Sequence, residues 1–365
     1  MNVSNQNSSS VVDEPTRVLI VDDSGVNRRN IAESLSLHSE IEVVGKAADG
    51  EEALQLALLL KPDIITLDLE MPRMDGFTFL RILMARQPAV VIVVSSYTQR
   101  ENVFKALELG AFDFVTKPDN ASSGDFPNLY QTIAEKILTL RQMRFGGVRA
   151  YAKRNASMPP GRVGEITSQG PIPFLEAKYL VAVASSTGGP NALLSIFAKL
   201  SESSVAALLV AQHMPDRFTR TFAERLDRCG PFRTAEAQDG DLIFARSAFV
   251  CPGHKCMEVV SRDAELRLRV VPPDLRETYV PNADRLLRSV ALVAKHRSIG
   301  LVLNGTGDNG VAGARAVRDA GGIVIAESAE TAAVSGMRSS VQAAGIATHV
   351  MSLAEIATFF ATLPE

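Results

Sequence analysis

From residue 17 onward the chain alternates short apolar runs with stretches whose apolar positions recur every three or four residues. The runs at 18–21, 41–45, 64–69, 90–94 and 112–115 have the length and continuity of buried strands. Between them, residues 51–60 and 77–86 carry the helical period. Five strand–helix units in succession predict an α/β fold, a doubly wound five-stranded parallel sheet with helices on both faces. Helical character fades after about residue 144, and the alternation resumes at 179. There it predicts strands at 179–184, 206–212 and 300–303 and helices at 192–200, 219–229, 282–294 and 311–320. A β-rich section, 232–269, falls between the second and third of those helices. This is a second doubly wound α/β unit.

Polar residues gather where the first five strands end. Asp22 and Asp23 close the first, Asp68 the third, Ser95 the fourth and Lys117 the fifth. Three carboxylates on one sheet edge repel each other unless a hard divalent cation bridges them, and Mg²⁺ takes such oxygen ligands. With the metal present, one carboxylate can attack a phosphoryl donor. A lysine then neutralises the phosphoryl oxygens and a hydroxyl adds a hydrogen bond.

The second unit carries a different chemistry on the same kind of edge. Strand 179–184 runs into Ser185-Ser186-Thr187-Gly188-Gly189-Pro190, a sharp turn into a helix that Pro190 can open. Such a turn leaves a hydroxyl and several N–H groups exposed, so Ser186 or Ser185 is a candidate nucleophile with oxyanion donors beside it. Strand 206–212 ends in Gln212-His213-Met214-Pro215, which places a candidate general base, His213, on that edge. Strand 300–303 enters the glycine-rich turn 304–310, where a carboxylate could orient His213 as a third triad member. Cys251, His254 and Cys256 lack a fourth ligand at usable spacing and are read as a structural loop.

Composition narrows the class. A chain of 365 residues, 46% hydrophobic, suggests two or three domains with sizeable cores. A net charge of −3 and a sequence pI near 6.0 give no basic field for nucleic acid. No run has the length of a membrane span, and the polar first ten residues have no signal-peptide core, so no membrane insertion is expected. Three cysteines, an odd number, argue for a reducing compartment and a cytoplasmic location. Residues 1–15 read as a disordered tail. Residues 141–175, rich in Gly and Pro and mildly basic through Lys153, Arg154 and Arg162, read as a linker.

Over residues 16–140 the chain resembles the receiver domain of bacterial two-component response regulators. The matching motifs are Val21-Asp22-Asp23-Ser24, Leu67-Asp68-Leu69-Glu70-Met71-Pro72, Met74-Asp75-Gly76, Val94-Ser95-Ser96 and Thr116-Lys117-Pro118. The resemblance implies a flavodoxin-like strand order 2-1-3-4-5. It also implies Asp68 as phosphoacceptor, Mg²⁺ on Asp22, Asp23 and Asp68, Ser95 as switch hydroxyl, Lys117 on the phosphoryl group and Phe114 as the rotating aromatic.

Over residues 176–360 the chain resembles the catalytic domain of chemotaxis protein-glutamate methylesterases. The residues that carry this are Ser186-Thr187-Gly188-Gly189-Pro190, Gln212-His213-Met214-Pro215, Phe222-Ala223-Glu224-Arg225-Leu226, Asp239-Gly240-Asp241 and Gly336-Met337. The family hydrolyses γ-glutamyl methyl esters on methyl-accepting chemoreceptors, many members also deamidate receptor glutamines, and a chemosensory histidine kinase activates them. The resemblance implies Ser186 as nucleophile, His213 as base, the N–H groups of Thr187 and Thr306 as oxyanion hole, and no cofactor in the esterase domain.

The family's triad aspartate falls on Asn309, with Asp308 one residue early. An asparagine can hydrogen-bond imidazole but lacks the charge that steadies imidazolium, and in a serine protease that exchange costs about 10⁴ in turnover. Three outcomes stand open: a slow enzyme, a shifted turn that brings Asp308 into play, or a receiver-controlled module that binds receptors with weak or no hydrolysis. Val280-Pro281-Asn282-Ala283-Asp284 also departs mildly from the family's usual Arg-Pro-Ser pattern. A transcription factor is disfavoured, since the second half has no recognition-helix module.

Overall fold

A computed structural model describes residues 14–96, 100–118, 126–141, 175–263, 265–332, 334 and 336–364. Most of the expected tail (1–15) and linker (141–175) therefore lies outside the described residues.

The first half is built from β1 (Thr16–Val21), α1 (Gly25–Ser36), β2 (Ile41–Ala47), α2 (Gly50–Leu60), β3 (Ile64–Leu67), α3 (Gly76–Arg86), β4 (Val90–Ser96), α4 (Arg100–Glu108), β5 (Asp113–Lys117) and α5 (Phe126–Arg141). Its five parallel strands take the order β2-β1-β3-β4-β5, as the resemblance implied. Side-chain caps set where helices begin: Asp49 accepts from the N–H groups of Glu51 and Glu52, and Asp75 from that of Thr78.

The second half comprises β6 (Tyr179–Ser185), α6 (Gly189–Phe197), β7 (Ala206–Gln212), α7 (Asp216–Cys229), β8 (Arg233–Glu236), β9 (Ser247–Val250), β10 (Cys256–Arg262) and β11 (Glu265–Val271). It continues with α8 (Ala283–Ala294), β12 (Ser298–Val302), α9 (Val311–Asp319), β13 (Ile323–Glu327), α10 (Gly336–Ala343), β14 (His349–Met351) and α11 (Leu353–Ala361). Seven strands form one parallel sheet in the order β14-β13-β12-β6-β7-β9-β8, while β10 and β11 make a separate antiparallel hairpin. The β-rich section thus splits between the two. The chain winds outward from β6 in both directions, so the strand order reverses between β6 and β12. In open α/β sheets that reversal opens a crevice at the carboxyl ends of the two strands. The Ser186 turn leaves β6 there, and the 304–310 turn leaves β12.

The two halves meet through aromatic packing. Phe104 of α4 stacks on Phe222 of α7 with centroids 5.5 Å apart, and Phe114 of β5 lies 5.0 Å from Phe218. Glu108 pairs with Arg225, and the amide nitrogen of Asn191 donates to the carbonyls of Ala111 (2.8 Å) and Phe112 (3.3 Å). All four phenylalanines are buried, each contributing about 1.5–3 kcal/mol of apolar transfer. No helix among the described residues is long and apolar enough to cross a membrane.

Candidate functional site

On the first sheet, Asp22, Asp23 and Asp68 place carboxylate oxygens within 4.8 Å of one another, with Asp22 and Asp68 buried and Asp23 exposed. Lys117, from the end of β5, reaches Asp22 at 2.9 Å and Asp68 at 2.5 Å. Burial pushes the Asp68 carboxyl above its usual value, against the pull of Lys117. The Lys117 ammonium loses solvation too, but the carboxylates of Asp68 and Asp22 outweigh that loss and hold its pKa above the ordinary value. This donor set is all oxygen and acidic, the chemistry Mg²⁺ selects. Ser95 is fully buried at the end of β4. Phe114 turns away from the acidic edge into the contact with Phe104 and Phe218.

On the second sheet the hydroxyls of Ser185 and Ser186 part company. Ser185 is fully buried and donates to Gln212 Oε1 at 2.6 Å. The same Gln212 side chain donates to the carbonyls of Ser186 (2.9 Å) and His213 (3.0 Å), tying the end of β6 to the end of β7. Ser186 retains 8% exposure. Its Oγ has no hydrogen-bond partner among the described residues, His213 included. The turn it opens requires Gly188 at φ +76°, a left-handed conformation in which a side chain would also press on Phe112.

His213 Nε2 lies 3.1 Å from Asn309 Oδ1, and the ring stacks on Tyr279 with centroids 5.5 Å apart. Burial lowers the His213 pKa, while hydrogen bonds to Asn309 and to the Pro281 carbonyl resist that shift. Asp308 points elsewhere: it is exposed and accepts from the Tyr279 hydroxyl at 3.3 Å. The turn therefore presents Asn309, not Asp308, to the imidazole.

Thr187 and Thr306 stand at the mouths of the two turns, and among the described residues neither N–H is engaged. The turns are locked together by the Ser186 N–H, which donates to the Asn304 carbonyl at 2.8 Å. Gly305 is required there, because a Cβ would collide with Met337 Sδ and come within 2.9 Å of Ser186 Cβ. Beneath lies Glu327, fully buried, which accepts from the Asn304 N–H (3.0 Å) and its side-chain amide (3.3 Å).

A cleft of about 860 Å³ brings the two halves to one place. Ser186, His213 and Arg217 line one wall, and Phe114, Thr116 and Lys136 line the other. Sequence patterns gave no sign that Tyr279, Glu327 or Asp284 reach the site, since each comes to it from a distant segment. Local pattern marks only the start of α8, through the capping residues of Asn282-x-Asp284.

Two family models match the chain, one in each half. The family described as CheB methylesterase matches residues 181–360, and the response regulator receiver domain matches residues 18–123. A protein-glutamate methylesterase/protein-glutamine glutaminase of Myxococcus xanthus is 43% identical over 346 residues, covering 95% of this chain and 96% of its own. One from Geobacter sulfurreducens is 41% identical over 353 residues, covering 92% of this chain and 94% of its own. Among solved structures, the methylesterase catalytic domain of Thermotoga maritima CheB is similar with a TM-score of 0.50 and 32% identity. It covers 51% of this chain and 98% of that one.

Proposed function

Because the chain belongs to the CheB methylesterase family and carries a receiver domain ahead of its catalytic sheet, we propose a mechanism for it as a phosphorylation-activated protein-glutamate methylesterase and glutaminase. The comparisons lend no support to a module with weak or no activity. The observation that carries the mechanism is the convergence of the Ser186, His213 and 304–310 turns at the β6/β12 reversal.

Ser186 Oγ attacks the γ-carbonyl carbon of a methylated receptor glutamate while His213 takes its proton. The N–H groups of Thr187 and Thr306 receive the charge that develops on the carbonyl oxygen. The tetrahedral intermediate then expels the methoxy group, His213 returns the proton, and methanol leaves a glutamyl ester on Ser186. Water, deprotonated by His213, hydrolyses that ester to glutamate and free serine. A glutamine follows the same route and releases ammonia. Asn309 faces the ring as an acceptor, so the neutral imidazole carries its proton on Nε2 and keeps Nδ1 as the basic nitrogen.

A chemosensory histidine kinase supplies the phosphoryl group to Asp68, in the cytoplasm where receptor glutamates are presented. Asp22, Asp23 and Asp68 would hold Mg²⁺, which shields the charge of the incoming phosphoryl group. Lys117, now bonded to Asp68 and Asp22, would turn to the phosphoryl oxygens, and Ser95 would supply a hydroxyl donor. Both responses bear on β4 and β5, and β5 carries Phe114 and Thr116 into the cleft wall. The receiver accordingly restrains the esterase by standing over Ser186, and phosphorylation draws that wall away.

Methanol release from methylated receptor fragments tests this. Ser186→Ala should abolish release, whereas Ser185→Ala should retain most of it. Release that survives Ser186→Ala overturns the mechanism.

A further inference from the structure

Asn309 has its amide orientation fixed by neighbours whose chemistry is unambiguous. One of its side-chain heteroatoms faces the backbone N–H of Ala283 at 2.8 Å, so that atom is the oxygen. The other faces a carboxylate oxygen of Asp284 at 3.3 Å and Asn282 Oδ1 at 3.2 Å, so that atom is the nitrogen. Asn282 Oδ1 is itself identified by the Arg285 N–H that donates to it at 3.1 Å. The oxygen that points at His213 is therefore held there by partners on both ends of the amide.

Asp284 is anchored independently. Its Oδ1 accepts from Gly310 N at 3.0 Å and Gly313 N at 2.6 Å, at the start of α9. The positive end of that helix faces the carboxylate. Its Oδ2 is left for the Asn309 amide. Gly313 allows this approach, since a Cβ there would meet Leu287 and the Asp284 backbone.

We propose that Asp284 is the positioning residue of the base: acting through the Asn309 amide, it fixes the acceptor that faces His213 and places a negative charge behind it. The inference rests on the Ser186–His213 mechanism above. It accounts for how an asparagine occupies the third position without presenting an N–H to the ring. The departures at 282 and 309 are then a matched pair, an amide oxygen at one answering an amide nitrogen at the other.

The charged groups around His213 are Asp284 behind Asn309, Asp308 behind Tyr279, Asp216 and Arg217 on its own wall of the cleft, and Asp113 and Lys136 across it. Of these, Asp284 alone is joined to the ring through the amide that contacts it. Asp284→Asn removes the charge yet retains an oxygen for the two glycine N–H groups. It also turns an N–H toward Asn309 Nδ2, which drives the Asn309 amide to rotate and offer its N–H to the ring.

The experiment uses the full chain and methylated receptor fragments, with kcat, KM, the pH profile of kcat and the melting temperature all measured. Asp284→Asn should lower kcat by about 10- to 100-fold with KM unchanged. The acid limb of its profile should move to lower pH, and Asp284→Glu should restore part of both effects. Asn309→Asp should gain less than about tenfold, because a carboxylate already stands behind position 309 and the full cost of a missing one is near 10⁴. Unchanged kcat and acid limb in a folded Asp284→Asn overturn the proposal, as does a thousandfold gain with Asn309→Asp. Ser186→Ala, run in parallel, separates the cases: release that persists in it removes the underlying mechanism instead.

Discussion

The side-chain amide of Asn191 lies 2.8 Å from the carbonyl oxygen of Ala111, a buried bond between the first turn of α6 and the segment that leads into β5. Gly188 approaches Phe112 on the same seam. The receiver is thus fastened within a few residues of Ser186.

Cutting that bond should release the esterase without phosphorylation. Asn191→Ala leaves the Ala111 carbonyl without its donor, a cost of about 1–3 kcal/mol to the docked state. Unphosphorylated protein should then release methanol about tenfold faster, since about 1.4 kcal/mol is a factor of ten. A basal rate equal to that of the unaltered chain argues against the seam as a restraint. Arg225→Ala, which removes the Glu108 pair farther from Ser186, should act in the same direction.

Gly305→Ala should silence the hydrolase while sparing the receiver. The added methyl collides with Met337 and crowds Ser186 Cβ, so Ser186, the proposed nucleophile, shifts relative to Thr306. A displacement of about 1 Å in such a site costs on the order of 100-fold in rate. Phosphorylation of Asp68 should be unaffected, and a variant with normal turnover would mean that the turn relaxes freely.

His213 sets a pH dependence for stability. Burial lowers its pKa below the usual 6.5, so the folded chain binds fewer protons than the unfolded one in the window beneath that value. The stability is complete above pH 6.5 and falls as pH drops toward the native pKa. Denaturant titrations at several pH values should show a shallower decline for His213→Gln than for the unaltered chain. The acid limb of activity should likewise lie below 6.5.

Removing the metal or the phosphoacceptor should uncouple control from catalysis. Chelation of divalent cations should stop phosphate incorporation at Asp68 yet leave the basal methanol release, because the Ser186 edge has no part in that cluster. Asp68→Asn should give the same basal rate with no response to a phosphodonor. Loss of basal release on chelation would place a metal in the hydrolytic step.

Much of this was legible beforehand because both halves are parallel sheets, whose buried strands are near-continuous apolar runs and whose chemistry collects at the strand ends. Asp22, Asp68, Lys117, Ser186 and His213 all follow one of those runs. Boundaries drifted where packing outweighs period. Leu200 is buried and continues the apolar rhythm of α6, yet the helix ends at Phe197. The strand β14 has three residues, none of them buried, and offers no run to recognise. Asp284 and Tyr279 act across the tertiary fold, and no local pattern announces such contacts. The sequence also could not tell the Ser185 hydroxyl from that of Ser186, because Gln212, which engages the first and not the second, comes from another strand.

The strand β5 borders two sites at once, with Lys117 on the phosphorylation edge and Thr116 on the esterase cleft. A shared border makes the influence mutual: whatever factor phosphorylation adds to receptor affinity, a receptor helix in the cleft must return to the phosphorylated state of Asp68. Crowded receptors would then shift the balance toward the phosphorylated chain that they bind, and a bare cleft would shift it back.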